Sequence, residues 1–119
     1  MIYLASPYTD PEETVRQERQ RAAMKAVAHW TKVGRIIYSP ICHYHEVSVK
    51  YDLPHTFAFW ERINYGMLRL AEELWILKIP GYMESVGVAA EVEMALNLGI
   101  PVFGLDPHTN SVRLMARAK

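Results

Sequence analysis

The chain has 119 residues, half of them hydrophobic, which suits a single domain over residues 1–119 with a sizeable core. Thirteen basic and thirteen acidic side chains balance to zero net charge, which argues against a nucleic-acid polymer or an anionic membrane as partner, since both attract through summed positive charge. Cys42 is the only cysteine, so no internal disulfide forms, and neither a bilayer-length apolar run nor a signal-peptide pattern is present, so a cytoplasmic location is expected.

Residues 2–5, IYLA, predict a first strand, stopped by SPYTDP. Asp10 can then cap a helix, Pro11 suits its first position, and Glu13 can return a bond to the cap backbone. That helix carries Val15, Ala22, Ala23, Ala26, Val27 and Trp30 at helical spacing and ends at Gly34. Arg16, Arg19, Arg21 and Lys25 fall mostly on its other faces, which reads as solvated surface in a neutral chain. RIIYSP predicts a second strand closed by Pro40. The stretch ICHYHEVSVKYDLPHT reads as irregular, rich in aromatic and histidine side chains and too long for a mere connector.

Residues 56–72 predict a helix with Phe59, Ile63, Met67 and Leu70 inward, and LWILKIPG predicts a central strand buried on both sides. Residues 85–99 predict another helix, closed by Gly99. IPVFGL is a further strand, and a last helix is expected after Thr109. Such alternation implies a three-layer α/β/α domain of Rossmann or flavodoxin type, with a four- to five-stranded parallel sheet. Ligands of such sheets bind at the carboxyl ends of the strands, which singles out SPYTD, SPICHYH, IPGYMESVG and LDPHTN.

Several chemistries fail at these places. The first strand–helix turn has no glycine, and no Gly-x-x-x-x-Gly-Lys follows a strand, so neither dinucleotide nor P-loop binding is expected. Cys42, His43 and His45 offer a weak zinc pattern without a downstream match, and rim residues of a pocket are the better reading. Ser85 lacks the glycine two positions earlier that a nucleophile elbow needs.

Glu91 is the residue out of place. At about 100° per residue it points roughly 140° from the polar face of Glu93 and Asn97, toward Val88 and Ala95. The nearby helix N-terminus favours an ionised carboxylate, which in a dry cleft can attack an anomeric carbon and form a glycosyl ester. Gly87, Ala89 and Ala90 leave the approach uncrowded. The competing reading is structural, with Glu91 paired to an arginine or accepting a packing hydrogen bond.

IYLASPYTDP, GRIIYSPICHYH and WILKIPGYMESVGVAAEVEMALNLGIPV together resemble the nucleoside 2-deoxyribosyltransferase superfamily, from residue 2 to about residue 105. The similarity is greatest to a short microbial branch and extends to deoxynucleoside 5′-monophosphate N-glycosidases. Its most specific part is Ser85-x-Gly87-x-x-x-Glu91-x-x-x-Ala95, then Gly99-x-Pro101-Val102. The resemblance implies that Glu91 is the nucleophile that takes deoxyribose from a base and passes it to water or to another base. Ser85 stands where the transferases carry an aspartate for the sugar 5′-hydroxyl and the nucleotide-hydrolysing branch carries serine, which favours a 5′-monophosphate. Glu73 matches an aspartate that donates a proton to the base or holds it.

By the same resemblance, Ser6 and Tyr8 line the base and phosphate pocket, and Gly87 amides join Ser85 and Ser6 on the phosphate or 5′-hydroxyl. Tyr38, His43 and His45 flank the base, while Trp60 either closes it or packs in the core, the core role being the stronger on its helical phase. Asn110 or Ser111 would come from a neighbouring subunit of a homodimer or larger homo-oligomer. No metal or organic cofactor is implied, and the partner is a small nucleoside or nucleotide. The expected function is cleavage of the N-glycosidic bond of (deoxy)nucleoside 5′-monophosphates or nucleosides through a covalent glycosyl–Glu91 intermediate. The alternative is a nucleotide sensor that keeps the pocket without turnover, and a vestigial site in a structural subunit is the third reading.

Overall fold

A computed structural model describes residues 1–118. The strands are β1 (Ile2–Ala5), β2 (Ile37–Tyr38), β3 (Glu73–Leu77), β4 (Val102–Leu105) and β5 (Val112–Ala116). They form one five-stranded sheet in the order β2-β1-β3-β4-β5. The first four run parallel, and β5 pairs antiparallel with β4. The helices are α1 (Glu13–Lys32), α2 (Pro40–Tyr51), α3 (Phe57–Leu68) and α4 (Val86–Asn97).

Side chains that alternate along β1 and β3 feed two separate cores. Ile2, Leu4, Trp75 and Leu77 pack with Ala23 and Ala26 of α1 on one face. Tyr3, Ala5, Leu74 and Ile76 pack with Leu68 of α3 and with Val88 and Ala95 of α4 on the other. Helices thus cover both faces of a parallel sheet, which explains why ELWIL reads as continuously apolar after its first residue. Leu4, Leu74 and Leu77 are fully buried, and removing each from water stabilises the fold by about 2 kcal/mol.

Four expectations are corrected here. The stretch after Pro40 is not irregular but the helix α2: the Ser39 hydroxyl accepts the Cys42 N–H at 3.1 Å and Pro40 occupies the first turn. The chain after Thr109 is a strand rather than a helix. Asn110 takes a left-handed conformation (φ 58°), its N–H donates to the Asp106 carbonyl at 2.8 Å, and the hairpin returns antiparallel to β4. Leu70 is 62% exposed because α3 stops at Leu68. Asp10 does not cap α1: its Oδ1 accepts the Glu12 N–H at 2.9 Å in a turn before the helix, and Glu12 holds the cap position without a side-chain bond.

Candidate active site

In this strand order the chain leaves β1 toward β2 on one side and leaves β3 toward β4 on the other. The switch point therefore lies between the carboxyl ends of β1 and β3, where the turns 6–12 and 78–85 part. α4 starts at that end, and its buried stripe is Val88, Glu91 and Ala95. Glu91 is 8% exposed. It forms no ion pair with a basic side chain among the described residues.

Its partner is Tyr3, whose hydroxyl donates to Glu91 Oε2 within the core. Burial pushes the Glu91 carboxyl up to about 7, against the opposing pull of the Tyr3 hydrogen bond. Any pull of the helix N-terminus toward ionisation therefore acts against a strong opposing effect of burial. The Tyr3 phenol is itself raised far above its ordinary value, first by burial and then by the charge of Glu91, so it remains a donor.

A file of aromatic rings leads outward from this pair. Tyr3 meets Tyr38 with ring centres 5.7 Å apart, Tyr38 meets His43 at 6.0 Å, and Tyr44 meets Trp60 at 5.1 Å. His43 and Tyr44 are in edge contact at 4.5 Å. The Tyr38 phenol is raised first by burial and then by Tyr44 and the charge of Glu91. The Trp60 indole N–H donates to the Pro54 carbonyl at 2.8 Å, so its polar edge anchors the segment before α3.

Among the described residues, Ser6 Oγ, Tyr38 Oη and Asn64 Oδ1 are buried without a partner, as is the Trp30 indole N–H on the α1 side of the sheet. Buried polar groups are almost always paired, so these atoms stand out. Ser6 is the first residue after β1, and Asn64 shares the helical stripe of Trp60 and Leu68 at four-residue spacing. Asn64 and Tyr3 escaped the sequence reading. Tyr3 looked like ordinary strand filling, and Asn64 shows as polar on an inward face only once the phase of α3 is fixed.

The remaining predicted residues separate. Tyr8 bonds through its hydroxyl to His45 Nδ1, and burial raises its phenol while Arg16 lowers it. His43 and His45 are about 200° apart on α2 and turn to different neighbours, so they do not converge on one ion. Ser85 caps α4, its hydroxyl accepting the Val88 N–H at 3.2 Å. Gly87 is exposed, and a methyl there would meet only Ser85 Oγ at 3.8 Å, so packing does not demand a glycine. Asn110 is tied into its own hairpin turn.

Glu73 is not brought to this site. It begins β3, at the amino end of the sheet, and shares the face of Trp75 rather than that of Leu74 and Ile76. Its carboxylate faces Arg35 at 3.4 Å and accepts the Trp75 indole N–H at 3.4 Å. Two open hollows of about 520 and 600 Å³ lie between α1 and α2 and between α3 and α4, and Glu91 lines neither.

The family model described as a domain of unknown function, DUF1937, matches residues 1–106. The chain belongs to the DUF1937 family. No curated protein matches it. The DUF1937 match takes in β1 to β4 and every residue of the Glu91 cluster, and it stops short of Asn110 and β5.

Proposed function

We propose that this DUF1937 domain cleaves the N-glycosidic bond of (deoxy)nucleosides or their 5′-monophosphates and passes the sugar to water or a second base. One observation carries the reading: a buried carboxylate with no cationic partner among the described residues, held by the Tyr3 hydroxyl on the face where the Tyr38 ring packs. A purely structural acid at this depth is normally matched by a cation or by several donors. The motif resemblance to the nucleoside 2-deoxyribosyltransferase superfamily points the same way.

In this reading Glu91 attacks C1′, the bond to the base breaks with its electron pair, and the base leaves with a proton gained from solvent. The acceptor then displaces the glycosyl ester with a second inversion, so the configuration is retained. Tyr3 fixes the carboxylate, and the rings of Tyr38, His43 and Trp60 offer faces for the base. The acid is almost wholly covered, so a substrate reaches it only after its cover moves. The superfamily resemblance also favours a homodimer or larger assembly, which sedimentation measures.

The closed cover over Glu91 favours a second reading, a nucleotide sensor without turnover. Chromatography of the wild-type protein with a panel of nucleosides and monophosphates, with and without a free acceptor base, separates the two. Free base or exchanged nucleoside supports the enzyme. Binding without any base release supports the sensor.

A further inference from the structure

Arg16 and Arg19 stand three residues apart on α1, about 5–6 Å between their Cβ atoms, and both fold back over the turn that follows β1. Arg16 Nη1 donates to the Asp10 carbonyl, and Arg19 Nη1 donates to the Thr9 carbonyl at 3.0 Å. Arg19 also reaches the opposite turn. Its Nη2 lies against Gly81, where a methyl group would collide with it, so one guanidinium bridges the two turns that part at the switch point.

Neither arginine forms an ion pair with a carboxylate among the described residues, although Glu12 lies four positions before Arg16 on the same side of the helix. Each guanidinium has five N–H donors, and the carbonyls use only one apiece. Two half-buried like charges held side by side repel each other, and an anion between them relieves that repulsion. Ser6 Oγ adds a buried, unpaired hydroxyl on the same turn. The chain as a whole is neutral, so this local excess of positive charge is not part of a general basic surface.

We infer that Arg16 and Arg19, side chains that the family resemblance gives no role, bind the phosphate of a phosphomonoester ligand across the mouth of the sheet. The inference rests on the glycosidic reading for the identity of the rest of the ligand. Guanidinium forks match phosphate oxygens two at a time, whereas Ser85, whose oxygen accepts the Val88 N–H, has a single proton left to donate.

Calorimetric titration tests it, with deoxynucleoside 5′-monophosphates, the matching nucleosides and inorganic phosphate as probes. The wild-type protein is expected to bind the monophosphate at least about tenfold tighter than the nucleoside, and inorganic phosphate is expected to compete with the monophosphate. Arg16→Ala and Arg19→Ala each collapse that ratio toward one, and Arg19→Lys keeps part of it. Circular dichroism checks that the variants fold. Should an alanine variant unfold, Arg19→Lys and the wild-type competition with phosphate decide. Equal wild-type affinity for nucleoside and monophosphate, or a ratio intact in both alanine variants, overturns the assignment. Phosphate preference without base release keeps the arginine site and rejects the glycosidic reading; base release without phosphate preference does the reverse.

Discussion

Tyr3 and Glu91, separated by 88 positions in the chain, share a buried hydrogen bond that ties β1 to the second turn of α4. The bond bears on how the acid behaves, because the Tyr3 hydroxyl favours its ionised form against the push of burial. Tyr3→Phe removes the donor and leaves the carboxylate uncompensated. We expect a loss of about 1–3 kcal/mol in denaturant unfolding, and the Glu91 carboxyl moving further above about 7. In the glycosidic reading, the acid limb of the pH–rate profile then shifts to higher pH.

Stability itself depends on pH through the same residue. The carboxyl rises from an ordinary 4.5 to about 7 on folding, so between these values the folded chain holds a proton that the unfolded chain has released. The stabilisation is fully present below the lower value and is lost as pH rises through the upper one, a change on the order of 3 kcal/mol. Glu91→Gln has no proton to lose. Urea unfolding of both proteins at about pH 5 and about pH 8 should show the variant gaining relative to the parent at the higher pH. A constant difference between them contradicts the shift.

Glu73 offers a contrasting case. Its pair with Arg35 is partly exposed, and it stands at the far end of the sheet from Glu91. Glu73→Gln should therefore leave base release within about twofold and change stability by less than about 1 kcal/mol. A loss of turnover with the fold intact speaks against the separation of the two acids.

Ser85 has two roles that substitution separates. Ser85→Ala loses the cap on the Val88 N–H and is expected to cost about 1 kcal/mol of stability. Ser85→Asp keeps a cap of similar strength but adds an anion, so it should weaken monophosphate binding while unfolding like the parent.

The alternation of strands and helices was legible because each apolar run has a clear period and clear stops, and the inward turn of Glu91 followed from counting 100° steps from Val88 and Ala95. What stayed hidden depended on neighbours far along the chain. Ser39-Pro40 reads equally as the end of a strand or the cap of a helix, and the aromatic and histidine side chains of α2 have modest helix propensity of their own. β5 lacks a two-residue alternation, and the short SVRLMAR stretch acquires a partner only once the Asp106–Ser111 turn folds back. The resemblance gives Glu73 a role at the base, but a residue just before the central strand falls at the amino end of a parallel sheet, and the pairing of Glu73 with Ile2 fixes it there. The bridging of two turns by Arg19 has no trace in local sequence, since any arginine on α1 looks like solvated surface.

The most direct test of the central claim is base release, followed chromatographically, by the wild-type protein and by Glu91→Gln and Glu91→Ala on the same nucleosides and monophosphates. The account predicts free or exchanged base from the wild type, none above background from either variant, and a folded protein in all three samples. Release persisting in both variants, or none from the wild type with any of these compounds, contradicts the assignment of Glu91 as the nucleophile.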